Sequence, residues 1–91
     1  MYRITAYTYK QARRLGVSVK PSTNATKKID VFRAGRKIAA VGAYGMNDYP
    51  TYRILRGPAY ALGRRRLYKM RHERDRHVKW SRGWLADQLL W

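Results

Sequence analysis

Lys28-Ile29-Asp30-Val31-Phe32-Arg33-Ala34-Gly35-Arg36-Lys37-Ile38-Ala39-Ala40-Val41 is the stretch whose reading decides the fold. Two β-prone runs meet at Ala34-Gly35, and a two-residue connection between such runs signals a hairpin. In that register Val31 pairs with Ile38 and Ile29 with Ala40 on one face, while Phe32 stands opposite Lys37 on the other. The tip then displays Arg33, Arg36 and Lys37 together.

Upstream of the hairpin, Ile4, Tyr7, Ala12 and Leu15 fall at helical spacing, with Gly16 where a C-cap belongs. Val17 to Lys20 alternates as a short strand, and Pro21-Ser22-Thr23-Asn24-Ala25-Thr26 reads as a polar loop flanked by Lys27 and Lys28. Downstream, Gly42 to Pro50 is turn-rich. Asp48 can cap a short helix that carries Pro50 in its first turn and breaks at Gly57-Pro58. From Ala59 to about Lys79 no Pro or strong turn signal intervenes, which predicts one long basic helix. Its apolar stripe, Tyr60, Gly63, Leu67 and Met70, ends at Met70, and the polar run from Arg71 to His77 is expected to project into solvent or onto a partner.

The last twelve residues, 80–91, form an amphipathic tail. Trp84 and Leu85 stand one helical turn before Leu89 and Leu90, with Trp91 following, so a single apolar face results. The expectation is that this face docks on another copy of the chain or on a partner protein, because the polar end of the preceding helix carries it away from the hairpin. The fold expected is α+β in one small basic domain, residues 1–91: a short N-terminal helix, a small antiparallel sheet around the hairpin at 28–41, a long basic helix at 59–79, and the interaction tail.

A chain of 91 residues builds only a small core. Ile, Leu, Val, Met and Phe together number 20, so the eight Tyr and three Trp must contribute much of the packing. There is no Cys, hence no disulfide and no thiolate metal site. The N-terminus lacks the continuous apolar run of a secretory signal, so secretion is not expected, and no window approaches the roughly 18 apolar residues of a membrane span.

Charge is the loudest signal: 21 Lys and Arg face five acids, for a formal net charge of +16. Self-repulsion on that scale favours a polyanionic partner, and the phosphate backbone is the commonest. A solvated basic tail or an anionic membrane surface would share the composition. The residues expected to meet phosphate are Arg33, Arg36 and Lys37 at the hairpin tip, with Arg64, Arg65, Arg66, Lys69, Arg71, Arg74 and Arg76 along the helix. Arg forks suit phosphate oxygens, and no motif for reading base edges accompanies them. Tyr44, Tyr49 and Tyr52, interleaved with Arg53 and Arg56, could stack bases, but core packing is the expected use in a chain so short of aliphatics.

The same residues argue against catalysis. His72 and His77 are five apart and point to different helix faces, whereas a helical zinc pair needs a spacing of four. A restriction-type nuclease needs two carboxylates on the hairpin to hold a divalent ion; Asp30 is present, but Ala39-Ala40-Val41-Gly42 supplies no second acid. Asp30 is expected instead to pair with Lys28 or Lys37. No phosphate loop or nucleophile triad is legible, and no metal or cofactor is expected.

The chain resembles a family of short basic proteins, without assigned function, encoded by large DNA viruses of algae and their relatives. The resemblance rests on Leu15-Gly16-Val17, Lys20-Pro21-Ser22-Thr23-Asn24, Lys27-Lys28-Ile29-Asp30-Val31-Phe32, Asn47-Asp48-Tyr49-Pro50-Thr51-Tyr52, Arg65-Arg66-Leu67-Tyr68, Arg71-His72, and Ala86-Asp87 through Leu90-Trp91. It implies a viral setting, in the virion or in the host nucleus or cytoplasm where viral DNA resides, and it implies no chemistry. The function expected is non-enzymatic binding of nucleic acid, DNA before RNA, on a viral genome. The runner-up is a minor virion protein that binds acidic protein surfaces, with a viral structural protein or a second copy as partner of the tail; a nuclease ranks last.

Overall fold

The structure, a computed structural model, describes residues 2–91. Four helices and a three-stranded antiparallel sheet make it α+β. The chain packs into two compact units, one ending at Met46 and one comprising Asn47–Trp91.

The first unit opens with α1, Ala6–Leu15. Thr5 caps it by accepting a hydrogen bond from Thr8 N at 3.3 Å, and Gly16, left-handed at φ 76°, closes it with its N–H bonded back to the last turn. Three strands follow, β1 (Ser18–Pro21), β2 (Lys27–Arg33) and β3 (Arg36–Ala43), with β2 in the centre. Helix α1 packs beside β1 and buries Thr8 and Ala12. Val19 pairs with Val31 and Ile29 with Val41, so these four buried side chains share one sheet face.

The expected hairpin is present, with a corrected register. Arg33 faces Arg36 and Phe32 faces Lys37, but Val31 meets Ala39 and Ile29 meets Val41, not Ile38 and Ala40. Ile38 is the extra residue of a β-bulge between these pairs and stands 40% exposed. The bulge costs one ladder step and turns Val41 inward against Ile29, where it is almost wholly buried.

The second unit holds α2 (Tyr49–Arg56), α3 (Pro58–Arg71) and α4 (Arg82–Leu90). Asp48 caps α2 by accepting from Thr51 N at 3.1 Å, and Pro50 lies in its first turn. The long helix expected over 59–79 ends at Arg71, and residues 72–80 turn back on themselves. Asp75 N and Arg76 N both bond to the His72 carbonyl, and Trp80 takes φ 72° before Ser81 caps α4 through Trp84 N. No Pro or Gly forces this break. The tail forces it: folding α4 back buries Leu85, Leu89, Leu90 and Trp91, more apolar surface than a continued polar helix could cover.

Two further expectations fall with that reversal. The tail side chains Leu85, Leu89, Leu90 and Trp91 are buried, with Trp84 partly so, and are covered where an open docking face was expected. The buried face of α3 is Ala61 and Tyr68, so the stripe Tyr60, Gly63, Leu67 and Met70 lies outside. Tyr68 is stacked between His72 and Trp91, with ring centroids 4.2 and 4.3 Å away, and Tyr52 also meets Trp91 at 6.4 Å. Gly83 completes the reversal: a Cβ there would run into the Asp75 backbone.

Candidate nucleic-acid interface

Of the ten cations expected to meet phosphate, five are exposed: two at the open tip of the hairpin, and three on α3 and the turn after it that have no carboxylate partner among the described residues. Arg33 and Arg36 form the exposed cross-strand pair that flanks the turn. Arg66 and Arg71 are exposed on α3, and Arg74 is exposed on the turn that follows.

Three others are engaged. Lys37 Nζ lies 3.3 Å from Asp30 Oδ1, though the lysine remains 45% exposed. Lys69 Nζ lies 2.6 Å from Oδ1 of Asp87, which is buried. Arg76 donates to Glu73 Oε1 at 2.8 Å and lies 3.9 Å from Asp87 Oδ2. Lys69 and Arg76 thus hold α4 and the turn to α3, work that a sequence reading assigns only if the reversal is known.

Arg64 and Arg65 are a third kind. Consecutive helical residues stand about 100° apart, so Arg64, Arg65 and Arg66 do not form one patch. The first two flank the buried face and lie over tyrosines of α2, Arg64 at 5.3 Å from the Tyr52 ring and Arg65 at 4.7 Å from Tyr49. Their Nε atoms are buried without a hydrogen-bond partner, so the aromatic faces are their main compensation. Arg56 covers Tyr60 in the same way at 4.3 Å. Tyr49 is a buried core ring and Tyr52 a half-buried one, each roofed by guanidinium, in line with the expected packing role, and Tyr44 is exposed.

Helix α1 contributes cations beyond the ten expected at the hairpin tip and on the long helix. Lys10, Arg13 and Arg14 occupy i, i+3 and i+4 positions and are exposed, opposite the buried Thr8 and Ala12. Their spacing is legible in the sequence, since three cations at i, i+3 and i+4 share one helix face.

The carboxylates explain the charge that is left over. Asp30 is buried and accepts from Ser22 Oγ at 2.6 Å, Thr23 N at 3.2 Å and Lys37. Burial pushes its carboxyl up, but those hydrogen bonds and the lysine outweigh it and hold the group below its ordinary value. Its oxygens are thus filled by donors of its own loop. Glu73 bonds His77 Nε2 and Arg76, and these bonds keep its carboxyl below the ordinary range. Asp75 meets His72 Nδ1 at 3.4 Å, and Asp48 caps α2. Among the described residues no three His, Asp or Glu side chains gather as a metal cluster. Nor is any described helix long and apolar enough to cross a membrane.

No protein-family model, curated protein or solved structure matches this chain.

Proposed function

We propose that this protein binds nucleic acid through the phosphate backbone, without catalysis, as a genome-associated protein of a large DNA virus. One observation carries the reading: all five carboxylates are engaged within their own units, while Arg36, Arg53, Arg56, Arg66, Arg71 and Arg74 remain exposed with no carboxylate partner among the described residues. Surplus guanidinium in this arrangement supplies bidentate donors to phosphate oxygens and releases counterions on contact. Stacking on Tyr60 also restrains the Arg56 fork before a ligand arrives, so less rotamer freedom is lost on binding.

The chain offers no arrangement for reading base edges, so the contact is to backbone and independent of sequence. The resemblance to short basic proteins of large DNA viruses supports DNA over RNA as the polyanion. The test is the salt dependence of binding to a random-sequence duplex. A linear fall of log affinity with log salt is expected, with a slope corresponding to several phosphates. Binding absent at about 50 mM salt, or a slope near zero, would overturn the reading.

A further inference from the structure

The outer face of α3 carries a regular apolar seam. Tyr60, Gly63, Leu67 and Met70 follow one another at steps of three, four and three, which keeps them in line along a helix. Leu67 is 48% and Met70 68% exposed, while Tyr60 at the start of the line also meets the Tyr52 ring at 5.5 Å. Such a face on a helix whose opposite side is already packed is unusual unless something covers it.

We infer that this seam docks an acidic amphipathic helix of a partner protein. Charge decides the partner's chemistry. The seam is rimmed by exposed Arg56, whose guanidinium lies over Tyr60, by Arg71 along one edge and by Arg66 along the other. Neither α2 nor α3 contains an acid, so the partner must bring the carboxylates. The rest of this chain does not supply them: Asp30 is buried and bonded within its own loop, Asp48 caps α2, and Glu73, Asp75 and Asp87 are held by His77 and Arg76, by His72, and by Lys69, respectively. A second copy would set a +16 chain against another +16 chain, arginine rim against arginine rim.

The width of the seam favours a helix over a lipid surface. A helix lying in a membrane interface presents a broad apolar face, whereas on α3 the 3-4-3 line is a narrow seam bounded by Arg66 and Arg71, with the exposed Leu62 set apart beyond Arg66. Gly63 lies in the middle of the line with open space beyond it, leaving a notch where a partner side chain or backbone comes close.

The test uses the full chain and a synthetic peptide of about three heptads, with Leu at seam positions and Glu on both flanks. Its control has the same composition with the Leu positions scrambled. The patterned peptide is expected to bind about tenfold or more tightly than the scrambled one, and Leu67→Ser with Met70→Ser to abolish the difference. Gly63→Leu provides a second variant, since it adds a better helix former in open space; it should leave the fold at least as stable while weakening the peptide. The duplex salt slope should not respond to Leu67→Ser with Met70→Ser, which separates this inference from the proposed function. Equal affinity for both peptides would show charge attraction alone and overturn it. So would binding of phosphatidylserine vesicles that is lost in the Leu67→Ser, Met70→Ser variant while the patterned peptide still binds as to wild type.

Discussion

Lys69 Nζ lies 2.6 Å from Asp87 Oδ1, 18 residues along the chain, and ties α3 to α4. The two partners differ in access to water: the lysine side chain is 27% exposed, the aspartate 2%. Removing the lysine therefore leaves a buried carboxylate with only Arg76 at 3.9 Å and the Gln88 amide at 3.4 Å, while removing the aspartate leaves an ammonium that can reach solvent. Lys69→Ala is expected to destabilise by about 3 kcal/mol and Asp87→Ala by clearly less. Urea unfolding followed by Trp fluorescence checks the order; equal losses, or a larger loss for Asp87→Ala, would contradict it.

Binding to duplex DNA should respond to the free guanidiniums and not to the engaged cation. Arg66→Gln, Arg71→Gln and Arg74→Gln together are expected to reduce the salt slope by about 2–3 units, at nearly unchanged stability. Lys69→Met should leave the slope as it is. Arg64→Gln or Arg65→Gln should instead lower stability by about 1 kcal/mol through the lost ring contact. A gel-shift series over salt, paired with thermal unfolding, distinguishes the three behaviours.

Asp30 gives the first unit a pH dependence of known sign. Its folded value is held below the ordinary one near 3.9, so its contribution is complete above about pH 4 and is lost as pH falls through the depressed folded value. Amide exchange of β1 and β2 should accelerate on acidification in the wild type. In Asp30→Asn that acid-dependent step should be missing, with faster exchange already at neutral pH. An unchanged acid profile in the variant would mean that other groups set the response.

The hairpin turn carries removable strain. Ala34 sits at φ 52° and Gly35 at φ 79°, both in the left-handed region that a two-residue I′ turn requires. Glycine accepts this freely, whereas alanine pays about 1 kcal/mol. Ala34→Asn is expected to stabilise the hairpin by about 0.5–1 kcal/mol, and Gly35→Ala to destabilise it by a similar amount. Thermal unfolding of both variants provides the check, and a loss of stability in Ala34→Asn would contradict the turn assignment.

Burial also leaves a mark at alkaline pH. Enclosure between His72 and Trp91, together with Asp87 and Asp75, pushes the Tyr68 hydroxyl up to about 12. The neutral phenol is the folded form, so its contribution is complete below about pH 10 and is lost as pH rises through the raised value. Ultraviolet titration should show one tyrosine ionising late, and Tyr68→Phe should remove that step alone.

What the sequence determined by itself is what acts over a few residues. Thr5 and Asp48 as caps, Gly16 as a C-cap, the Ala34-Gly35 turn and the break at Gly57-Pro58 are local hydrogen bonds and dihedrals, written in adjacent residues. Asp30 and Lys37 as partners followed from the hairpin itself. The tertiary structure decided the rest. Ile38 was displaced into a bulge because burying Val41 against Ile29 is worth more than an unbroken ladder. The helix expected to run to Lys79 stopped at Arg71 because the tail had to come back and bury Leu85, Leu89 and Leu90. That reversal then selected which cations serve the fold, Lys69 and Arg76, and turned the apolar stripe of α3 outward. Helical periodicity shows which residues share a face, but which face is buried depends on segments distant in the chain, and a helical wheel contains no information about them.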